Sequence, residues 1–291
     1  MSSKLRPLLL AAVALALAAC HATEPARPAL FEVDGPGGQQ AWLFGTIHAL
    51  PDGVKWHSQA IDGALARSDR LMLEAADLDD AKKAAAIFAR LGTSPNLPPL
   101  RERVSPARRG AFDALLKRHG FSPDQLDGEE TWAAALTLNQ ALQAESGSEG
   151  GKGIDLQLLA ERGTKAVDQF EGVEPQLSMF DRLPETDQRA LLEAVIDSAP
   201  DTAKAMALMQ KAWKEGDMGA IAGLDHQDML ADPDLRDVLL VRRNRAWIAL
   251  LKQRMATGAR PFVAVGAMHL VGPDGLVAGL QGQGYRVTRL Q

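Results

Sequence analysis

Three segments share the spacing Gly-x-x-His: Gly45 to His48, Gly223 to His226 and Gly266 to His269. Chance pairing of glycines and histidines at this composition gives about half of one such match, so the bare spacing is a weak signal. Context separates the three. His48 follows Trp42-Leu43-Phe44-Gly45 and His269 follows Val263-Ala264-Val265-Gly266, apolar runs that read as buried strands, whereas His226 follows a helical Met/Ala stretch. Two imidazoles just past strand ends, with one carboxylate, make a minimal site for a divalent transition metal with open positions. The carboxylate candidate is Glu74, because an acid embedded in the apolar run Leu71-Met72-Leu73-Glu74 is costly unless paired or metal-bound. Each has a plainer reading: Glu74 as a strand-edge acid facing water, His48 as a core histidine bonded to a neighbour. Gly45 and Gly266 would let a ligand or a second backbone approach the strand ends closely.

The elements that must position these residues are legible in outline. Leu30 to Val33 and Gln40 to Ile47 flank Asp34-Gly35-Pro36-Gly37-Gly38, a turn-rich run that predicts a hairpin. Ser58 to Arg67 has helical spacing, Arg70 to Ala75 reads as a strand, and Asp79 to Leu91 as a helix. Ser105-Pro106 carries a cap signal that opens a helix with Phe112, Leu115 and Leu116 on one face. Further helices are expected over Glu129 to Ala144, Ile154 to Glu161, two within Pro184 to Gly216, and one long one over Pro233 to Thr257. The segment 146–153 reads as a loop. Strands are expected over Thr164 to Phe170, Pro261 to Ala267 and Tyr285 to Leu290, with a short helix after Pro273-Asp274-Gly275. Strands alternating with helices at both ends of the chain, around a mostly helical middle, predict an α/β fold: a central mixed β-sheet flanked by helices, with a helical insertion at roughly residues 79–150. Ligands in such sheets gather at the carboxyl ends of strands, where both histidines would stand.

Composition narrows the function. The chain has 291 residues, 46% hydrophobic and 24% charged, with a net charge of −5. That is ordinary for a folded protein and lacks the basic cluster that general nucleic-acid binding requires. Aromatic content is 5% with a single Tyr, which disfavours a base-stacking surface. No Gly-x-Ser-x-Gly elbow, P-loop or His-Glu-x-x-His sequence occurs, so serine-hydrolase, nucleotidase and zincin chemistries lack a carrier. The single Cys excludes an intramolecular disulfide and a thiolate metal site. Its position gives it another role. Lys4 and Arg6 precede an apolar run from Leu8 to Ala19, the pattern of an export signal. Leu17-Ala18-Ala19-Cys20 resembles the lipobox of bacterial lipoproteins, which implies cleavage of residues 1–19, acylation of Cys20 and a tether over residues 20–28. His21 in place of the Asp that retains many lipoproteins at the inner membrane implies the periplasmic face of the outer membrane.

Taken in order, Trp42 to Pro51, the strand with Glu74, Gly151 to Gly163, Gln169 to Gln176, Arg242 to Trp247 and Phe262 to Val287 resemble the TraB/GumN family, which includes the Tiki metalloproteases. The resemblance spans nearly all of residues 30–291. It implies a domain over 29–291 with a fold related to the erythromycin esterases and the ChaN haem-binding lipoproteins, and a manganese- or cobalt-dependent peptidase site, with zinc or iron(II) as alternatives. It matches the family's two Gly-x-x-His motifs to Gly45/His48 and Gly266/His269 as metal ligands, and its strand acid to Glu74 as ligand or general base. It further matches Asp155 after Gly153, Glu171 after the central strand, and the pair Arg243-Asn244. On residue chemistry alone these remain open. Glu171 is a second crevice carboxylate or the acid capping the next helix. Asp155 reads more simply as a first-turn acid. Arg243 would hold a substrate carboxylate or an oxyanion, or else lie in a surface ion pair like its arginine neighbours. Asn244 is a poor helix-interior residue and so is harder to dismiss. His57 is the most plausible extra ligand, and Met206 and Met209 read as packing. The expected partners are a peptide or protein substrate and the membrane reached through acylated Cys20, without nucleic acid; self-association is left open. The rival reading is a haem- or iron-binding lipoprotein without turnover, for which Tyr285 is the one Tyr available.

Overall fold

The computed structural model describes residues 25–48, 50, 53–77, 80–145, 153–224 and 228–291. The export signal, Cys20, His21, His226 and nearly all of the loop expected at 146–153 lie outside the described residues. Among the described residues no helix is long and apolar enough to cross a membrane.

A six-stranded mixed sheet forms the centre, built from β1 (Leu30–Asp34), β2 (Gln40–Thr46), β3 (Arg70–Leu73), β4 (Ala166–Gln169), β5 (Pro261–Gly266) and β6 (Arg286–Arg289). Its order is β4-β3-β5-β2-β1-β6. The first four in that row are mutually parallel, and β1 is antiparallel to both β2 and β6. The α/β architecture expected from the sequence is therefore the one observed, with the β1–β2 hairpin in place. Strand alternation sorts the sheet's two faces. Trp42, Phe44, Leu71 and Phe262 face one way, against α1 (Gln59–Arg67), α6 (Ile154–Glu161) and Trp213 of α9 (Thr202–Glu215). Leu43, Met72, Val263 and Val265 face the other, against α12 (Arg242–Ala256) and α13 (Leu276–Gln281).

A separate helical core stands beyond the sheet. It joins α2 (Ala81–Leu91), α3 (Leu100–Arg103), α4 (Arg109–Arg118) and α5 (Thr131–Glu145) to α7 (Val173–Asp181), α8 (Glu185–Ser198) and α11 (Pro233–Arg236), around Trp132, Phe112, Leu138 and Leu191. The helical region thus draws on two stretches of chain, one on each side of β4. The short α10 (Met218–Gly223) links α9 back toward the sheet.

Two helix expectations need correction. Ser105-Pro106 opens a turn rather than α4: the Arg108 N–H donates to the Ser105 carbonyl at 3.0 Å, and α4 begins at Arg109. Arg108 is held there by Glu193 and Asp197 of α8, a tertiary pairing that overrides the local cap signal. The long helix from Pro233 is interrupted by a π-helical turn over Asp237–Val241. The wider turn rotates the helix beyond it, so Arg243 and Asn244 fall in the first turn of α12 and face the sheet. Such turns recur where a helix presents functional groups.

Candidate functional site

Four adjacent parallel strands deliver four of the candidate residues in one row. In the spatial order β4, β3, β5, β2, the carboxyl ends lead to Glu171, Glu74, His269 and His48. This is the crevice edge at which open α/β sheets bind ligands. β5 is followed directly by a 3-10 turn over Ala267–Leu270, which brings His269 back over its own strand end.

The groups converge on Gly266. A Cβ built on Gly266 would stand 3.3 Å from Glu74 Oε1, 3.7 Å from His269 Cδ2 and 3.9 Å from His48 Nε2. The missing side chain therefore leaves open the space that the three groups share. Gly45 does a different job: its Cβ would press on Ala267 at 3.1 Å, and its carbonyl accepts the buried Trp213 indole N–H at 2.8 Å. Gly45 lets the β5 end pack; Gly266 lets the cluster form.

The protonation of His269 follows from its neighbours. Asn244 is fully buried, and its Nδ2 donates to the Asp274 carbonyl at 2.8 Å. Its Oδ1 therefore faces His269 Nδ1, 2.6 Å away, and Nδ1 carries the proton. Nε2 is left as an acceptor, 3.3 Å from Arg243 Nη1 and 3.9 Å from Glu74 Oε1. Arginine only donates, so both neighbours impose the same tautomer. Burial, beside the Arg243 charge, lowers the His269 pKa to about 4 against the pull of Glu74.

Glu74 is the most constrained acid. Oε1 accepts the Gly266 N–H at 2.8 Å; Oε2 accepts from Arg243 Nη2 at 2.9 Å and Gln176 Nε2 at 3.3 Å. Burial alone would raise its pKa, but His269 when charged, Arg243, His48 and the Gly266 N–H outweigh it and hold it at about 2. With His269 neutral, the standing counter-charge is Arg243. That guanidinium also pairs with Glu171 through Nε at 2.9 Å, and donates to the Leu239 carbonyl at 3.0 Å beside the π turn. It lies over the Trp247 ring at 4.6 Å, and Trp247 Nε1 donates to Glu171 at 2.9 Å. Burial opposes the Arg243 charge, yet Glu74 and Glu171 raise its pKa. Glu171 is thus the anchor of Arg243, its carboxylate filled. The Gly172 backbone, at φ +101°, turns two successive N–H groups, its own and that of Glu171, onto the Glu74 carbonyl.

His48 is held differently. Its side chain is 69% exposed, and Nδ1 lies 3.5 Å from Oδ2 of Asp155. Asp155 is buried in the first turn of α6, receives the Thr46 hydroxyl on Oδ1 at 3.1 Å, and has no hydrogen bond on Oδ2. Pairing with Asp155 raises the His48 pKa against desolvation, and solvent around the exposed ring screens that pairing. Asp155 is thus placed to orient one histidine as Asn244 orients the other, the arrangement by which outer groups aim metal-binding imidazoles.

The donor types fit a divalent ion. As placed, though, no three His, Cys, Asp or Glu side chains among the described residues stand close enough to hold one. Arg243 and Glu171 join the cluster through Glu74, and Asn244 through His269. His57 does not: it pairs with Asp62 and Glu161 at 2.6 and 3.0 Å, against Trp56. Tyr285 does not either, standing by Gly35 in the β1–β2 turn, at the opposite end of β2. Sequence reasoning missed Trp247, Gln176 and Thr46. Trp247 was the findable one, since it lies four residues after Arg243 on the same helix face.

A mixed-sheet α/β protein with a His/Glu/Arg cluster at its parallel strand ends is the class this geometry defines. The model of the TraB/PrgY/gumN family matches residues 29–289, and the chain belongs to that family. It is similar to the proteins named YbaP of Shigella flexneri and of Escherichia coli K12. Each is 30% identical over 268 residues, covering 90% of this chain and 94% of theirs. No solved structure matches it significantly.

Proposed function

We propose that this TraB-family protein is a metal-dependent hydrolase acting on peptide bonds, tethered to the bacterial membrane through acylated Cys20 with its folded part in the periplasm. The observation that carries the reading is the convergence of His48, His269 and Glu74 on the open space over Gly266, with the His269 lone pair turned inward by Asn244. His269 and Glu74 would form the fixed part of the ligand set, and the exposed His48 would complete it. A divalent cation, manganese or cobalt by the family resemblance and zinc or iron(II) by donor chemistry, would polarise the scissile carbonyl and acidify water there.

The chain's own groups supply the rest. Asn244 holds the His269 Nδ1 proton, and Asp155, 3.5 Å from His48 Nδ1, would do the same for His48 on a small approach of the exposed ring, leaving Nε2 of each as the donor atom. Arg243, whose N–H groups are engaged by Glu171, Glu74, the Leu239 carbonyl and His269 Nε2, would hold Glu74 and His269 in register, and would reach negative charge on a substrate oxygen only by releasing one of them. If Glu74 is not itself a ligand, its Oε1 is the acceptor for a proton from the attacking water.

The test is metal content and peptide-library cleavage of purified protein with added Mn²⁺, Co²⁺ and Zn²⁺, beside His48→Ala, His269→Ala and Glu74→Gln. Expected is metal-dependent cleavage by the parent protein and at least a hundredfold loss in each variant. Equal cleavage by parent and variants would remove the mechanism.

A further inference from the structure

A cleft of about 440 Å³ opens beside the cluster, and Arg243, Met268 and His269 form its inner end. Its walls come from the helical region. α5 contributes Asn139 and Gln143, one turn apart; α8 contributes Val195 and Ser198; Leu239 and Leu240 of the π turn line it below. The opposite wall is α9, through Thr202, Ala205, Met206 and Met209. Those four fall at i, i+3, i+4 and i+7, one helix stripe. Of the fourteen residues of α9 only Ala212 and Trp213 are buried; the stripe is half-buried, with Met209 also packed against the sheet's core and the rest bordering the cleft. The Met206/Met209 pair reads as packing in the sequence; Met209 does pack on the core, and both also border the cleft.

Two features select the occupant. Among the described lining residues Arg243 is the one formal charge, already paired with two carboxylates, so these residues offer a charged segment no spare counter-ion. The apolar wall also carries the Asn139 amide and the Ser198 and Thr202 hydroxyls, whose protons go to helix carbonyls but whose oxygens can still accept a peptide N–H, which suits a peptide main chain better than a bare hydrocarbon. Methionines on one wall let it adjust to side chains of different shape.

We infer that the cleft binds an uncharged apolar stretch of a peptide substrate, bulky aliphatic or methionine side chains seated between α9 and α5 and the adjoining peptide bond presented at His269. This rests on the hydrolase reading for its destination but not for its binding.

The test separates the two. Titration calorimetry on the full chain compares acetyl-leucyl-leucinamide with the aspartyl and lysyl equivalents and with dodecanoate, in the parent protein, Ala205→Trp and Met206→Lys. Thermal melts confirm that each variant is folded. The leucyl probe is expected to bind at least tenfold more tightly than either charged probe, and each variant to weaken it at least tenfold. Absent or equal binding, or unchanged binding in both variants, overturns the inference, and tighter binding of dodecanoate reassigns the cleft to an acyl chain. A leucyl peptide that binds in this pattern but is not cleaved with any of the three metals leaves the cleft standing and removes the hydrolase reading.

Discussion

β2 and β5 are neighbouring parallel strands, paired Thr46 to Gly266, and both run into Gly-x-x-His. Their histidines end up in opposite conditions. His269 is buried in a 3-10 turn, held at both ring nitrogens by Asn244 and Arg243, and neutral, with a pKa of about 4. His48 is exposed, leans on Asp155 alone, and has its pKa pushed up. The local sequence does not make this difference; the element packed on each strand end does. α12 supplies Asn244 and Arg243 to the histidine after β5, whereas among the described residues the histidine after β2 meets the first turn of α6, through Asp155 and Gly153. One side of the crevice is therefore firmly bonded in place and the other stands open to solvent.

The comparison breaks most readily on the β5 side. Arg243→Met removes the one cation shared by the buried Glu74 and the half-buried Glu171, leaving both without a counter-ion. A loss of about 3–5 kcal/mol in urea unfolding is expected, the cost of breaking a buried ion pair from one end. Asn244→Ala comes next. It strands the Asp274 carbonyl and the His269 N–H, and about 2–3 kcal/mol should go with them. A change below about 0.5 kcal/mol in both would show that the β5 side is not the firmly bonded one.

Acid titration sharpens the same contrast. His269 has its pKa lowered from 6.5 unfolded to about 4 folded. Between those values the unfolded chain takes up a proton that the native state refuses, so stability is full above pH 6.5 and falls as pH drops toward 4. A shift from 6.5 to about 4 corresponds to at most about 3–4 kcal/mol at 1.36 kcal/mol per unit. His48, with its pKa raised, acts in the opposite sense: its contribution is present below 6.5 and is lost at alkaline pH. Unfolding measured from pH 4 to 8 in chelator should therefore fall more steeply with acid in the parent than in His269→Gln. Parallel curves would contradict a neutral buried imidazole.

Much of this was legible in the chain. The apolar runs locate the strand ends and mark Glu74 and both histidines as candidates, and the family resemblance, more than the runs, singles them out from plainer readings. The sheet follows from the same runs, because strands buried on both faces leave a continuous apolar signature. What could not be read were arrangements decided by tertiary partners. The π turn that aims Arg243 and Asn244 looks like ordinary helix in sequence, since its extra residue is apolar like its neighbours. Glu171 reads equally well as a free crevice acid or a cap, and only Trp247 and Arg243 decide that it is an anchor. The cap signal at Ser105 lost to two acids on α8, over eighty residues away in the chain.

The smallest stability effect should accompany His48→Ala. Asp155 is buried and His48 is its partner at 3.5 Å, so an unscreened reading would assign this pair several kcal/mol, as for Arg243. Exposure decides otherwise. The ring that would be deleted is 69% exposed, and its loss opens Asp155 to water, which can solvate the carboxylate in place of the imidazole charge. Pairs of this kind contribute about 0–1 kcal/mol, and that range is the expected loss in urea. The same variant should abolish the proposed hydrolysis, giving a site residue whose removal costs almost no stability. Asp155→Asn tests the link from the other end. It keeps the Thr46 contact but not the charge, so it should lower the His48 pKa, read directly by imidazole NMR titration. A loss above about 2 kcal/mol in His48→Ala, or a His48 titration unmoved by Asp155→Asn, would make the β2 end as much a part of the bonded frame as the β5 end.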